Sequence, residues 1–257
     1  MRYPTCPSRG KQMNTRMAVM VACVLTAPTA LHAQSSGNGY LFGRPHVTLT
    51  LRGGFASPTA SSDVFDFSSK QLTVGKGDFG SAAFGVDFGV RVADRLDLQF
   101  GVASMGRNVD SEFRKYVDNS DKPIEQRTTF RRAPVTAGLK YSLSSPGRSL
   151  SRLAWVPSKF TPYVAAGGGA MWYSFKQAGD FVDFKTFDVF ASDLSSSSWA
   201  PMAYGAGGMD YSLSPHLSLT TEARYDYARA AMNKSFEGFN RIDLSGLSAN
   251  VGLTVRF

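Results

Sequence analysis

The run Gly246-Leu247-Ser248-Ala249-Asn250-Val251-Gly252-Leu253-Thr254-Val255-Arg256-Phe257 decides the fold. Taken two by two, Leu247, Ala249, Val251, Leu253, Val255 and Phe257 form one face, and Gly246, Ser248, Asn250, Gly252, Thr254 and Arg256 the other. Successive side chains of a strand point to opposite sides, so this strand has one apolar and one polar face. A soluble sandwich turns such an apolar face inward, whereas a membrane barrel turns it outward to lipid.

The front of the chain separates these cases. Arg2, Arg9, Lys11 and Arg16 make a basic start, Met17 to Leu31 is mostly apolar, and Leu31-His32-Ala33 offers a small residue for cleavage. This pattern reads as a secretory signal peptide over residues 1–33, leaving a barrel domain at 34–257. Cys6 and Cys23 fall in the leader, so the mature chain lacks disulfides. Cys23 is set aside as a lipidation site because apolar Val24 and Leu25 follow it. Removing the four basic residues takes the formal net charge from +8 to +4, too small an excess to argue for nucleic acid. No stretch reaches the ~20 apolar residues of a helical span.

Seven further alternating segments precede the terminal one: Val47–Phe55, Phe84–Val92, Leu96–Val102, Ala133–Leu143, Tyr163–Phe175, Ala203–Leu213 and Leu217–Tyr227. Eight strands make the smallest membrane barrel, each approaching the ~9–11 residues that cross a bilayer when tilted. The fold class expected is therefore all-β: an eight-stranded antiparallel up-and-down transmembrane β-barrel. Long polar connections (Ala56–Ala82, Gly106–Arg132, Lys176–Met202, Ala228–Ser245) are expected as four outside loops, opposite short turns at Ala93-Asp94-Arg95 and Ser214-Pro215-His216. The segment Ser144–Lys159 departs from this rule and is expected to lie on the inner membrane surface with Trp155 at the interface.

Alternating the strands up and down places Tyr141, Tyr163, Tyr211 and Phe257 at one rim. Phe55, Phe84, Tyr173, Phe175, Tyr225 and Tyr227 fall at the other, giving two aromatic girdles. The polar faces carry Arg52, Arg91, Lys140, Arg224 and Arg256 against Asp87, Asp97, Asp210, Glu222 and Asp226. A soluble core would not take ten charges. Eight strands leave a lumen barely wide enough for side chains, so these residues are expected to pair in a network that plugs it. Arg52, Arg91 and Arg224 are expected beside Asp87, Glu222 and Asp226.

The signal peptide, the amphipathic strands, the segment Pro162-Tyr163-Val164-Ala165-Ala166-Gly167-Gly168-Gly169 and the closing Val255-Arg256-Phe257 resemble the small outer-membrane barrels of the OmpA/OmpX type. The resemblance covers roughly residues 40–257. It implies an outer membrane of the Gram-negative type, contact with outer-membrane lipid and lipopolysaccharide, and Phe257 as the signal read by the barrel-assembly machinery. It says little of activity, since such barrels include anchors, adhesins, small pores and lipid-modifying enzymes.

Candidate chemistry is sparse, and no cofactor is expected. His216-Leu217-Ser218 with Glu222 faintly resembles the His-x-Ser element of outer-membrane lipid A deacylases, but Leu219 stands where that family has Asn. His216 also falls in the turn at the periplasmic end, away from the outer leaflet, so no enzyme is expected. Only His46 and His216 remain as mature histidines, a poor metal set. Asp110, Glu112, Asp118 and Asp121 lack calcium-loop spacing, and Ala165–Ala170 is not followed by the Lys-Ser/Thr of a phosphate loop.

The loops offer a surface for an unknown ligand. Arg107, Arg114, Lys115, Lys122, Arg127, Arg131 and Arg132 suit lipopolysaccharide phosphates. Phe181, Phe184, Phe187, Val189 and Phe190 suit a capped mouth, an extended hairpin or a binding surface. Two roles stay open: a structural or surface-interaction barrel with a plugged lumen, or a narrow channel for small or hydrophobic solutes.

Overall fold

A computed structural model describes residue 41 and residues 43–117, 122–151, 154–182 and 189–257. The expected leader at 1–33 lies outside them, as do Asp118, Asp121, Phe184 and Phe187.

The strands are β1 (Val47–Pro58), β2 (Ser81–Ala93), β3 (Leu96–Val117), β4 (Pro123–Ser142), β5 (Gly147–Ser151), β6 (Ala154–Pro157), β7 (Phe160–Val182), β8 (Val189–Ser212), β9 (Leu217–Ala230), β10 (Ile242–Asp243) and β11 (Gly246–Arg256). Among the described residues one α-helix, α1 (Asp63–Gln71), follows β1, with short 3-10 turns at Lys76–Phe79 and Lys234–Phe236. The large sheet runs β9-β11-β1-β2-β3-β4-β7-β8, and β8 pairs again with β9, so eight antiparallel strands close into a ring. The seam joins the first strand to the last, with Thr48 opposite Arg256 and Phe55 opposite Ala249. Closure leaves the eight-stranded ring without a free edge at the level where all strands pair.

The apolar faces point outward. Leu51, Val102, Val135, Leu139, Val164, Val251 and Leu253 are all exposed, while Thr50, Asp87, Thr136, Asp210, Arg224 and Thr254 on the alternate positions are buried. A contiguous apolar exterior of this extent is the surface a bilayer covers. Two aromatic belts flank it. Tyr141, Phe160 and Phe257 are exposed near the short turns, with Tyr211 against Phe160 at 4.9 Å between ring centres. Phe55, Phe84, Trp199, Tyr225 and Tyr227 are exposed at the other end, where Trp172 stands directly across from Trp199.

Three expected belt residues are not in the belts. Tyr163, Tyr173 and Phe175 are buried inside the barrel, at 2, 0 and 0% exposure. The cause lies in β7, which begins at Phe160 and carries small or apolar residues on both faces through Ala170, so alternation alone gives no polar contrast there. Phe160 and Trp172 occupy the outward positions instead.

The long connections are also more ordered than polar loops. Strands β3 and β4 continue as a hairpin through Val117 and from Pro123, and β7 and β8 continue through Val182 and from Val189. The second and third connections are thus mainly protruding sheet. Near the tip Phe181 and Phe190 stack at 6.1 Å, extending the hairpin rather than capping the mouth. At the short-turn end, Ser144–Lys159 forms the small β5–β6 hairpin, and Trp155 is 2% exposed rather than interfacial. Leu41 and Trp155 exchange backbone hydrogen bonds of 2.8 and 3.0 Å.

Candidate functional site: the barrel interior

The barrel interior has two sectors, charged toward the short turns and aromatic toward the long hairpins. Alternation along each strand points the charges inward, and register sets their partners. Arg52 Nε donates to Asp87 Oδ2 at 2.6 Å, and its Nη1 lies 3.7 Å from Glu222 Oε1. Tyr163 Oη donates to the other Glu222 oxygen at 3.1 Å. Lys140 Nζ donates to Asp210 Oδ2 at 2.8 Å while lying over the Tyr163 ring, 3.8 Å from its centre. Arg224 Nε donates to Asp226 Oδ1 at 2.8 Å, and its guanidinium stacks 3.7 Å above Tyr204.

Arg91 pairs with Asp97 at 3.0 Å, not with the three carboxylates expected for the arginines, because the β2–β3 register sets these two residues opposite each other. Arg256 donates to Ser212 Oγ at 2.9 Å. A hydroxyl chain links the walls. Thr220 Oγ1 donates to Asp210 Oδ1 at 2.7 Å, so it must accept from Thr254 at 2.8 Å, which in turn accepts from Thr50 at 2.7 Å.

Glycines make room for the rings in this sector. A Cβ on inward Gly138 or Gly167 would strike Tyr204, and one on Gly208 would strike Tyr163. Gly138 of β4, Gly167 of β7 and Gly208 of β8 therefore leave the space that the two tyrosine rings fill, whereas Gly169 of β7 lies close against the β4 backbone. Among the lining Thr50, Arg52, Asp87, Lys140, Tyr163 and Glu222 the free space is about 10 Å³. That is about the room of a single water, 10–15 Å³, so these side chains leave little space between them.

Above it sits an aromatic stopper built largely from the first and last connections. In α1, Asp63 and Asp66 open the first turn and Lys70 closes the last, each matching the helix dipole. Its apolar side drives Val64 and Phe65 into the mouth, followed by Leu72, Val74 and Phe79 from the next turn, all 2% exposed or less. Phe65 packs edge-on against Phe79, Phe130 and Phe175 at 5.1, 5.3 and 5.7 Å. Phe236 joins Phe175 at 5.5 Å, and Ile242 and Leu244 are fully buried beside them.

Polar ties hold the stopper. Asp243 accepts from Ser61 Oγ at 2.6 Å and from the Ser245 amide at 3.1 Å, linking the two connections. Burial pushes this carboxyl up, yet the hydrogen bonds from Ser61 and Ser245 outweigh it and leave it below the ordinary aspartate range. The Thr73 amide donates to Glu112 O at 2.8 Å, strapping the α1 connection to the otherwise open edge of β3.

Arg132 spans the two sectors. It is buried, donates to Leu244 O at 2.7 Å, and lies over the Phe130 ring at 5.4 Å. The sequence reading grouped it with the outside cations, but β4 continues past it and its parity with Thr136 and Lys140 turns it inward.

Among the remaining candidates no hydrogen bond joins His216, Ser218 and Glu222 to one another within the described residues. His216 is exposed in the turn before β9, and Ser218 is fully buried with its hydroxyl unpartnered. Glu222 is engaged by Arg52 and Tyr163. Among the described residues no three His, Cys, Asp or Glu side chains are grouped to hold a metal ion.

No family model and no curated protein matches the sequence. Among solved structures, the chain is similar to Neisserial surface protein A at 15% identity and TM-score 0.44, over 82% of this chain and 96% of that one. It is similar to the outer membrane protein OprG from Pseudomonas aeruginosa at 19% identity and TM-score 0.46, over 84 and 98%. It is similar to the attachment invasion locus protein Ail of Yersinia pestis at 12% identity and TM-score 0.43, over 83 and 100%. These likenesses do not single out the OmpA/OmpX type, and what the chain shares with small barrels rests on its own closed ring of eight strands.

Proposed function

We propose that the protein is an integral outer-membrane barrel with a structural or surface-interaction role and no catalysis, its lumen closed to solutes. The outward apolar band between two aromatic belts supports the membrane reading, and the basic, then apolar start of the sequence supports export. The long hairpins then face outside, and the short turns face the periplasm. Outer-membrane lipid and lipopolysaccharide are the surroundings of such a barrel, and Phe257 is its signal to the barrel-assembly machinery. The engagement of Glu222 with Arg52 and Tyr163 supports a network residue over a catalytic one.

The observation that carries the closed-lumen reading is the double seal: a charged sector with about 10 Å³ free, beneath an aromatic stopper centred on Phe65. Purified protein in planar bilayers should give no open steps. Stable, well-defined conductance steps would favour the narrow channel instead. The role left to the protein is then outward, on the protruding β3–β4 and β7–β8 hairpins.

A further inference from the structure

The outer wall of the protruding sheet carries two cations that meet no carboxylate among the described residues. Along β4 and β7 the outward positions just beyond the Trp172–Trp199 pair are Arg131 opposite Ser174, then Thr129 opposite Lys176. Arg131 and Lys176 therefore stand on a diagonal of the antiparallel pair, where side-chain origins are about 7–8 Å apart. Both are exposed, and neither meets a carboxylate among the described residues. Four other basic residues of this region are engaged elsewhere. Arg127 pairs with Asp110 at 2.5 Å, Arg114 donates to Leu72 O at 2.7 Å, Arg107 to Gly80 O at 3.3 Å, and Arg132 is inside.

Arg131 and Lys176 line one cleft of about 440 Å³ with Asn108, Thr129, Trp172 and Ser174. Two like charges on one diagonal repel unless an anion lies between them. The cleft offers that anion two cations and several neutral hydroxyl and amide donors. Its height is equally specific. Each outward row of a strand tilted by about 40° rises about 5 Å, so these cations begin one row above the indole belt, at the level of headgroup phosphates.

We propose that the Arg131–Lys176 cleft binds the phosphate of an anionic glycolipid in the outer leaflet, with Trp172 against the base of its headgroup. This rests on the outer-membrane reading above. The lipid's phosphate bridges the guanidinium and the ammonium, and its acyl chains run down the apolar wall below. The contact would anchor the β4–β7 side of the protruding sheet to the membrane surface.

The test uses the full mature protein refolded in detergent and titrated with bisphosphorylated or dephosphorylated lipid A, with bound lipid counted by native mass spectrometry. The wild type should retain the bisphosphorylated form, and Arg131→Ala/Lys176→Ala should bind it about tenfold or more weakly, the scale of losing charge-assisted bonds. Lys176→Gln alone, on an exposed side chain, should give an intermediate loss, while Lys70→Ala/Lys234→Ala should leave retention unchanged. Equal retention of both lipids, or an unaltered double variant, would overturn the site. Displacement of the lipid by millimolar inorganic phosphate would overturn the glycolipid assignment in favour of a free-phosphate site. Heat-modifiable migration reads the barrel separately: its loss in the wild type would remove the membrane reading, whereas a lost lipid difference with migration intact removes only the site.

Discussion

The Arg52 guanidinium lies 2.6 Å from the Asp87 carboxylate, with both side chains less than a tenth exposed. Removing one partner strands the other charge where water has almost no room. Asp87→Asn should therefore lower unfolding stability by about 3–5 kcal/mol in urea titrations of the membrane-inserted protein. A charge placed on the lipid face, Leu253→Arg, should cost about 2–4 kcal/mol by a different route, desolvation in hydrocarbon. Stability equal to wild type for Asp87→Asn would refute the packed network.

Phe65 stands at the centre of the stopper, within 5.7 Å of three other rings. Phe65→Ala should cost about 3–5 kcal/mol, the usual range for emptying a buried phenylalanine site. Conductance should nevertheless stay closed, because the charged sector beneath is a separate seal. Combining Phe65→Ala with Arg52→Ala should admit ions. Open steps from the Phe65 variant alone would show that the stopper is the only barrier.

Asp243 sets a pH dependence for the mouth. Its carboxyl sits below the unfolded value of about 3.9, so its ionised form stabilises the ties to Ser61 and Ser245 above that pH. The contribution is lost as pH falls through the depressed folded value. Hydrogen-exchange protection around Ser61, Ser62 and Ser245 should hold from pH 7 to about 4 and fade below it. Asp243→Asn should flatten that profile, and an unchanged profile would remove Asp243 as the tie.

Deleting Phe257 should lower outer-membrane assembly while leaving export intact, measured as heat-modifiable protein in membrane fractions. The Phe257 carbonyl also accepts from the His46 and Val47 amides at 2.9 and 3.2 Å, so the truncation loosens the seam as well. Normal assembly of the truncated chain would count against the terminal signal.

The barrel was legible wherever one face of a strand was polar and the other apolar. In β2, β9 and β11 that contrast fixed the facing of Asp87, Glu222, Arg224 and Arg256, and from there which walls carry charge. It failed in β7, where Tyr163 and Tyr173 share a face with Ala165 and Gly167 and nothing marks the inside. It failed again at Arg132, whose neighbour Arg131 has the same chemistry and the opposite parity. Only extending the β4 alternation upward separates the two. The stopper had a weaker signal: Val64, Phe65, Leu72, Val74 and Phe79 are too apolar for a solvated loop, but their partners come from strands distant in sequence.

The seam between β1 and β11 has a kinetic consequence. Arg52 faces Asp87 on the neighbouring β2 but Glu222 across the seam on β9, and the Thr50–Thr254–Thr220 relay crosses the same line. In an unclosed sheet these groups remain hydrated and cost nothing, and they lose water only when the two end strands meet. Zippering of the earlier strands brings Arg52 to Asp87 and Arg91 to Asp97 but leaves the seam contacts unmade. The final docking step dehydrates the charges and brings Glu222 to Arg52 and Thr254 to Thr50, so sealing should be abrupt: a chain with a mismatched seam would accumulate as an open, nearly complete sheet rather than as a loosely formed cylinder.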